Sequence, residues 1–202
     1  MKLLAESSDF NDYLKELVEV NYSHFSIQKI ISELFNDKQT EIEKAKIAFE
    51  FVRDEIDHSW DIQSNRITCL ASEVLQYREG ICYAKSNLLA AILRAVGIPT
   101  GFCYQRLMLF DTPDKGYCIH ALNAIYLQSI NRWIRLDARG NKSGVKAEFS
   151  IHEETLAYQI NEKFHEKNFP IIYTKPNPKT INTLTENTDA LKIYTHQLPD
   201  TL

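Results

Sequence analysis

One apolar helix with hard stops at its far end constrains this chain more than any other stretch. From Arg78 to Gly101 the sequence reads REGICYAKSNLLAAILRAVGIPTG. After Asn87 it is almost wholly aliphatic until Gly97 and Pro99 close it, the pattern of a helix buried on most sides. Gly80 precedes the helix and Cys82 falls in its first turn. A thiol there meets the positive end of the helix dipole and free backbone N–H groups, which favour the nucleophilic thiolate. A free cysteine is also among the most buried residue types and commonly acts as a small hydrophobe. Position alone does not choose between these roles, so the rest of the chain has to.

Periodicity divides the chain. The segments FNDYLKELVEV and SIQKIISELF carry apolar residues at helical spacing. TEIEKAKIAFEFVRDEI is stronger: Thr40 with Glu43 forms a capping-box pattern, and Ile42, Ala45, Phe49, Val52 and Ile56 make an apolar stripe. DHSWDIQSNRI reads as loop, and ASEVLQYREG as a short helix with Ser72 as its N-cap. Beyond the Cys82 helix the pattern changes. TGFCYQRLMLF, CIHALNAIYL and NRWIRLDA read as strands, separated by the turn DTPDKG and the short QSIN link. RGNKSG is a further turn and VKAEFSI a further strand. Helices followed by an antiparallel sheet define an α+β domain, with the central Cys-bearing helix packed on the sheet and extra helices at the N-terminus. The tail from Phe169 holds four of the six prolines. It reads as an extension over 169–202, packed on the domain or mobile, with Ile171, Ile172 and Tyr173 favouring docking of its start and TDALKIYTHQL holding one short helix. The expected division is a catalytic domain over 1–168, with its core over 72–141, and this extension.

Bulk properties exclude several classes. With 202 residues, 44% of them hydrophobic and 25% charged, the chain can build a substantial core without a metal or disulfide staple. A net charge of −4 with no basic block removes the electrostatic footprint of a nucleic-acid binder. No apolar run reaches membrane-spanning length, and Glu6 and Asp9 interrupt any secretory-type core at the start. The four cysteines form no C-x-x-C pair, and the six histidines form no H-x-x-x-H pair, so neither a disulfide framework nor a metal enzyme is expected. A reducing cytoplasm is the expected home. Glycine-rich nucleotide motifs are absent as well, so no cofactor is expected.

A cysteine nucleophile needs a base, and the base needs an orienting group. His120 sits in CIHALNAIYL, and Asp137 ends NRWIRLDA. If these strands are antiparallel neighbours, the two residues lie side by side, and the histidine keeps one nitrogen for Cys82. Singly, a strand histidine is usually a hydrogen-bonded structural residue and a strand-end aspartate a turn former or cap. Together the three residue types fall where one mechanism demands them.

GICYAKSNLLAAILRAVGIPTG, IHALNAIYL and RWIRLDARGN together resemble the three core motifs of the transglutaminase-like superfamily, which includes transglutaminases, peptide N-glycanase-type amidases and bacterial cysteine-protease-like proteins. The resemblance covers about Ser72 to Asn141. It implies a papain-like α+β fold, with Cys82 as nucleophile, His120 as base and Asp137 as orienter. Tyr83-Ala84-Lys85 after the cysteine and Ala121 after the histidine depart from common family choices. They leave the three residues intact but blur the substrate class.

The chemistry so implied is acyl transfer through a Cys82 thioester on a peptide, protein or small amide, with hydrolysis expected over cross-linking. The Cys82 backbone N–H is one oxyanion donor. Gln76, a short loop before the cysteine, is the candidate for a second, and His58, Trp60 and Tyr104 are candidates to line the cleft. The competing expectations are a non-catalytic peptide- or protein-binding module that keeps the fold, a true transamidase, and, last, a redox protein.

Overall fold

The computed structural model describes the whole chain, the side chains of Asp111 and Pro113 excepted. At its centre stands α4 (Cys82–Ala95), whose Leu88, Leu89, Ile92 and Leu93 are fully buried. Burying each such side chain stabilises the fold by about 1.5–3 kcal/mol. The helix packs against α2 (Glu41–Glu55) and α3 (Ala71–Tyr77) on one side, with α1 (Phe25–Leu34) behind, and against a sheet on the other. The capping box of α2 forms as its sequence predicts: the Thr40 hydroxyl accepts from the Glu43 amide, and the Glu43 carboxylate accepts from the Thr40 amide.

The sheet is antiparallel and curled, in the order β6 (Arg132–Leu136), β5 (Tyr117–Leu127), β4 (Thr100–Met108), β7 (Lys167–Asn168). Strand alternation sorts β5 into two sets. Ile119, Ala121 and Ile125 join the core around α4, while Leu122 and Ala124 join a smaller cluster with Tyr13, Cys103 and Ile172. Two short parallel pairs tie the chain together: β1 (Leu4–Ala5) with β8 (Ile171–Ile172), and β2 (Asp57–His58) with β3 (Glu79–Gly80). Gly101 is required where the tail crosses β4, because a Cβ there would stand 2.4 Å from Ile172 Cγ2 and 2.8 Å from the Tyr173 carbonyl oxygen. The tail then forms α5 (Pro178–Thr185) and α6 (Ala190–Lys192), which runs on into a π turn over Ile193–Gln197. Beyond it, the Pro199 carbonyl accepts from the Ile119 amide. Among the described residues no helix is long and apolar enough to cross a membrane.

Three local expectations are corrected. FNDYLKELVEV forms only a 3-10 turn over Phe10–Tyr13. The carbonyls of Lys15 and Glu19 accept from Arg94 and from the Ala71 amide, so tertiary bonds take groups that a helix would use internally. Ser72 lies inside α3 rather than capping it. Its amide donates to Asn21, and Glu73 instead accepts from the amides of Cys69 and Leu70. VKAEFSI is not a strand: the Asn141 side chain accepts from the Ala147 amide and donates to the Ala147 carbonyl, taking both groups a ladder needs.

Candidate active site

The approach to Cys82 is built from turns. Arg78 ends α3 in the left-handed conformation, with φ 56°. The chain can then enter β3 beside β2. Asp57 and Ser59 donate their amides to the carbonyls of Arg78 and Gly80, at 2.8 and 3.2 Å. A Cβ on Gly80 would stand 3.0 Å from both the Ala84 Cβ and the Thr68 hydroxyl, so the close approach of β3 to the first turn of α4 favours glycine. Ile81 caps α4 without a side-chain hydrogen bond. The first-turn amides, that of Cys82 among them, are left facing outward from the helix start.

Across from this turn, β5 carries His120. The β5–β6 register pairs Asn123 with Leu136, which brings Asp137, just past β6, alongside. His120 Nε2 lies 2.9 Å from Asp137 Oδ2, and both residues are buried. Asp137 is itself fixed by the amides of Arg139 and Ala157, which donate to Oδ1 and Oδ2. With Nε2 committed to Asp137, Nδ1 is the ring nitrogen left to face Cys82, whose sulfur is among the neighbours that raise the imidazole. Burial alone depresses the imidazole, but the neighbouring Asp137 charge, the Cys82 sulfur and their hydrogen bonds outweigh it and raise His120 to about 10. Tyr158 meets the His120 ring edge-on at 5.1 Å.

Cys82 and His120 border one cleft of about 800 Å³. His58 and Trp60 line it, as the sequence suggests, and Trp60 packs between Phe110 and Tyr194. Two candidates fall elsewhere. Gln76 is exposed on the last turn of α3 and does not border the cleft. Tyr104 is fully buried, and its hydroxyl accepts from the Asn177 amide at 2.7 Å, so it anchors the tail rather than lining the cleft. Sequence reasoning passed over Tyr194, Leu198 and Tyr158, which border the cleft from segments far along the chain. The one signal for Tyr194 and Leu198 was the apolar and aromatic content of the tail, and nothing local pointed to Tyr158.

The other three thiols differ from Cys82 in surroundings. Cys69 and Cys103 are buried away from the cleft, and desolvation pushes each up to about 12. Cys118 borders the cleft and is half-buried, and it too is pushed to about 12, by burial and then by the Cys82 and Glu166 charges. Among the described residues no group of three or more His, Cys, Asp or Glu side chains is placed to hold a metal ion.

A cysteine-initiated helix set against a curled antiparallel sheet is a papain- or transglutaminase-like core. The sequence model of the transglutaminase-like superfamily matches residues 28–138, more than half the chain, and the protein belongs to that superfamily. Among solved structures it is similar to the "putative cysteine protease" from Cytophaga hutchinsonii, with a TM-score of 0.52 at 19% identity over 66% of this chain. The match spans 43% of that protein's length, and at this identity it bears on the fold alone. No curated protein matches the sequence.

Proposed function

We propose that the protein is a cysteine acyltransferase that works as a hydrolase, cleaving an amide or peptide bond through a thioester on Cys82. The observation that carries this reading is the placement of His120, held by Asp137 and bordering one cleft with Cys82, which opens a helix that has no side-chain cap. The Cys82 sulfur attacks the carbonyl carbon. The leaving amine departs with the proton of the His120 imidazolium, and the neutral ring then takes a proton from water as that water attacks the thioester. Asp137 keeps the ring in its productive orientation throughout. The Cys82 amide is one donor to the oxyanion. Membership of a superfamily with cysteine hydrolases supports the same chemistry.

Water rather than an amine is proposed as the resolving nucleophile. The cations that border the cleft are paired, Arg139 and Lys142 with Asp61 and Lys146 with Glu148, so the partition of the acyl group between acid and amide decides this point.

The test is to trap the acyl group. The protein is mixed with a library of peptides and small amides and quenched in acid, and Cys82 is then analysed by mass spectrometry. The expected result is a thioester on Cys82 that is absent from Cys82→Ala and from His120→Ala, and that yields free acid even with a primary amine in millimolar excess. No adduct with any amide supports a binding module instead, and mainly amide product supports a transamidase.

A further inference from the structure

His58 holds its two ring nitrogens in different states. It is 4% exposed, and Nε2 lies 2.9 Å from the Tyr194 hydroxyl. Nδ1 is buried and has no partner. Leaving such a buried atom unsatisfied is destabilising. Among the described residues five buried side-chain atoms are unpartnered, and only that of His58 belongs to a residue bordering the cleft. The parallel register sets His58 opposite Gly80, two residues before Cys82.

Hydrogen-bond accounting fixes the proton. If Nε2 carried it and donated to Tyr194, the tyrosine O–H would have no acceptor in the protein and could bond only to water in the cleft, and the Nδ1 lone pair would be stranded. If the tyrosine donates to Nε2, a single group is left over, the Nδ1 N–H. Burial first, then the Arg139 charge, holds His58 well below the ordinary histidine range, so the ring is neutral and has only that one N–H.

We infer that His58 is a second oxyanion donor, presenting its Nδ1 N–H to the carbonyl oxygen of an acyl donor at Cys82, and that Tyr194 of the C-terminal segment is the positioning residue that fixes this tautomer. The inference rests on the thioester chemistry proposed above. As the Cys82 Sγ–C bond forms, the carbonyl π pair moves onto oxygen, where the Cys82 amide and His58 Nδ1 both donate to it. On collapse the C=O re-forms, and the bond to the leaving group breaks with its electron pair leaving on that group. The exposed Gln76, which the sequence offered for this place, is not needed.

Two reactions of the full-length chain separate this role from a structural one. Acylation by p-nitrophenyl acetate passes through an oxyanion and releases p-nitrophenolate. Alkylation by iodoacetamide is substitution at a saturated carbon and forms none. His58→Gln places its amide where Nε2 was and loses the Nδ1 donor, whereas His58→Asn restores a donor near Nδ1. We expect His58→Gln to slow acylation of Cys82 about 100-fold with alkylation within about twofold of wild type. His58→Asn should recover most of the acylation rate, and Tyr194→Phe should slow acylation alone, by about tenfold. Tyr194→Phe leaves both rings in place and carries the test if the His58 variants do not fold. Equal slowing of both reactions, or unslowed acylation in His58→Gln and Tyr194→Phe, overturns this inference alone. A wild-type chain that takes no acyl group on Cys82 overturns the thioester reading and this inference with it.

Discussion

The two ends of α4 bury polar groups in opposite ways. At the C-terminal end the Arg94 guanidinium is 3% exposed and donates to three backbone carbonyls: to Thr100 from Nε and Nη2, to Lys15 from Nη1 and to Thr174 from Nη2. These bonds gather the N-terminal segment, the start of β4 and the tail onto one helix end, and such saturation is the mark of a structural group. At the N-terminal end the first-turn amides have no side-chain cap, His58 Nδ1 has no partner, and His120 is held raised beside Cys82. Groups left short of partners beside a cleft are groups a substrate can satisfy. At these two ends burial by itself does not separate structure from chemistry, and hydrogen-bond saturation taken together with a place on the cleft does.

If that contrast is right, damage to one end stops chemistry and damage to the other loosens the fold. The largest effect is expected from Cys82→Ala and His120→Ala, each lowering acylation by p-nitrophenyl acetate by about 10⁴-fold or more while the melting temperature shifts little. Asp137→Asn keeps part of the geometry and loses up to about 10⁴-fold. It also costs about 1–3 kcal/mol in urea denaturation, because Asp137 accepts from the Arg139 and Ala157 amides. Arg94→Leu reverses the pattern. It strands carbonyls of Lys15, Thr100 and Thr174 and destabilises the fold by about 2–4 kcal/mol, with the acylation rate per folded molecule unchanged. A loss of rate without loss of stability in Arg94→Leu would erase the distinction between the two ends.

A smaller effect comes from pH, and it divides the catalytic end itself. His120 is raised to about 10 from an ordinary value near 6.5, so its contribution to stability is complete below about 6.5 and is lost as pH rises through 10. Lys85, one turn along α4 from Cys82, is 1% exposed and donates to the Ile56 carbonyl. Desolvation and then the Arg139 charge depress it to about 7 despite Asp137, Asp57 and Asp61. The native state therefore binds fewer protons than the unfolded chain between about 7 and 10.5, and the Lys85 contribution to stability rises with pH across that window. Lys85→Met removes the rising part. Its stability relative to wild type should fall steadily from pH 7 to 10 in urea titrations, and a difference that stays flat would mean that Lys85 does not change charge there.

The same division explains what could be read from the sequence. α1, α2, α4 and the strands β4, β5 and β6 were legible because each announces itself by local periodicity and its own stops. Cys82, His120 and Asp137 were legible because one helix start and two strands joined by a short turn bring them together. What the sequence concealed is held by distant partners. FNDYLKELVEV has helical spacing, yet Phe10 stacks on Tyr126 at 4.2 Å and Tyr13 meets Trp133 at 4.9 Å, so aromatic packing and the Arg94 bond set its path. Gln76 precedes Cys82 by a short loop but stands on the exposed face of α3, and nothing local distinguishes that face. The partner of His58 is 136 residues away, in a tail with no motif of its own.

The central claim is that Cys82 is the nucleophile because of its setting rather than its accessibility, and Cys118 supplies the control. Both thiols border the cleft, and Cys118 is the more exposed of the two, half-buried against 7% for Cys82. The direct measurement is competitive alkylation of the folded protein at pH 7 with less than one equivalent of iodoacetamide, followed by peptide mapping of all four cysteines. Cys82 is expected to take the label well before Cys118, and to lose this preference in His120→Ala. Label appearing first on Cys118, or spread evenly over the two, would contradict it.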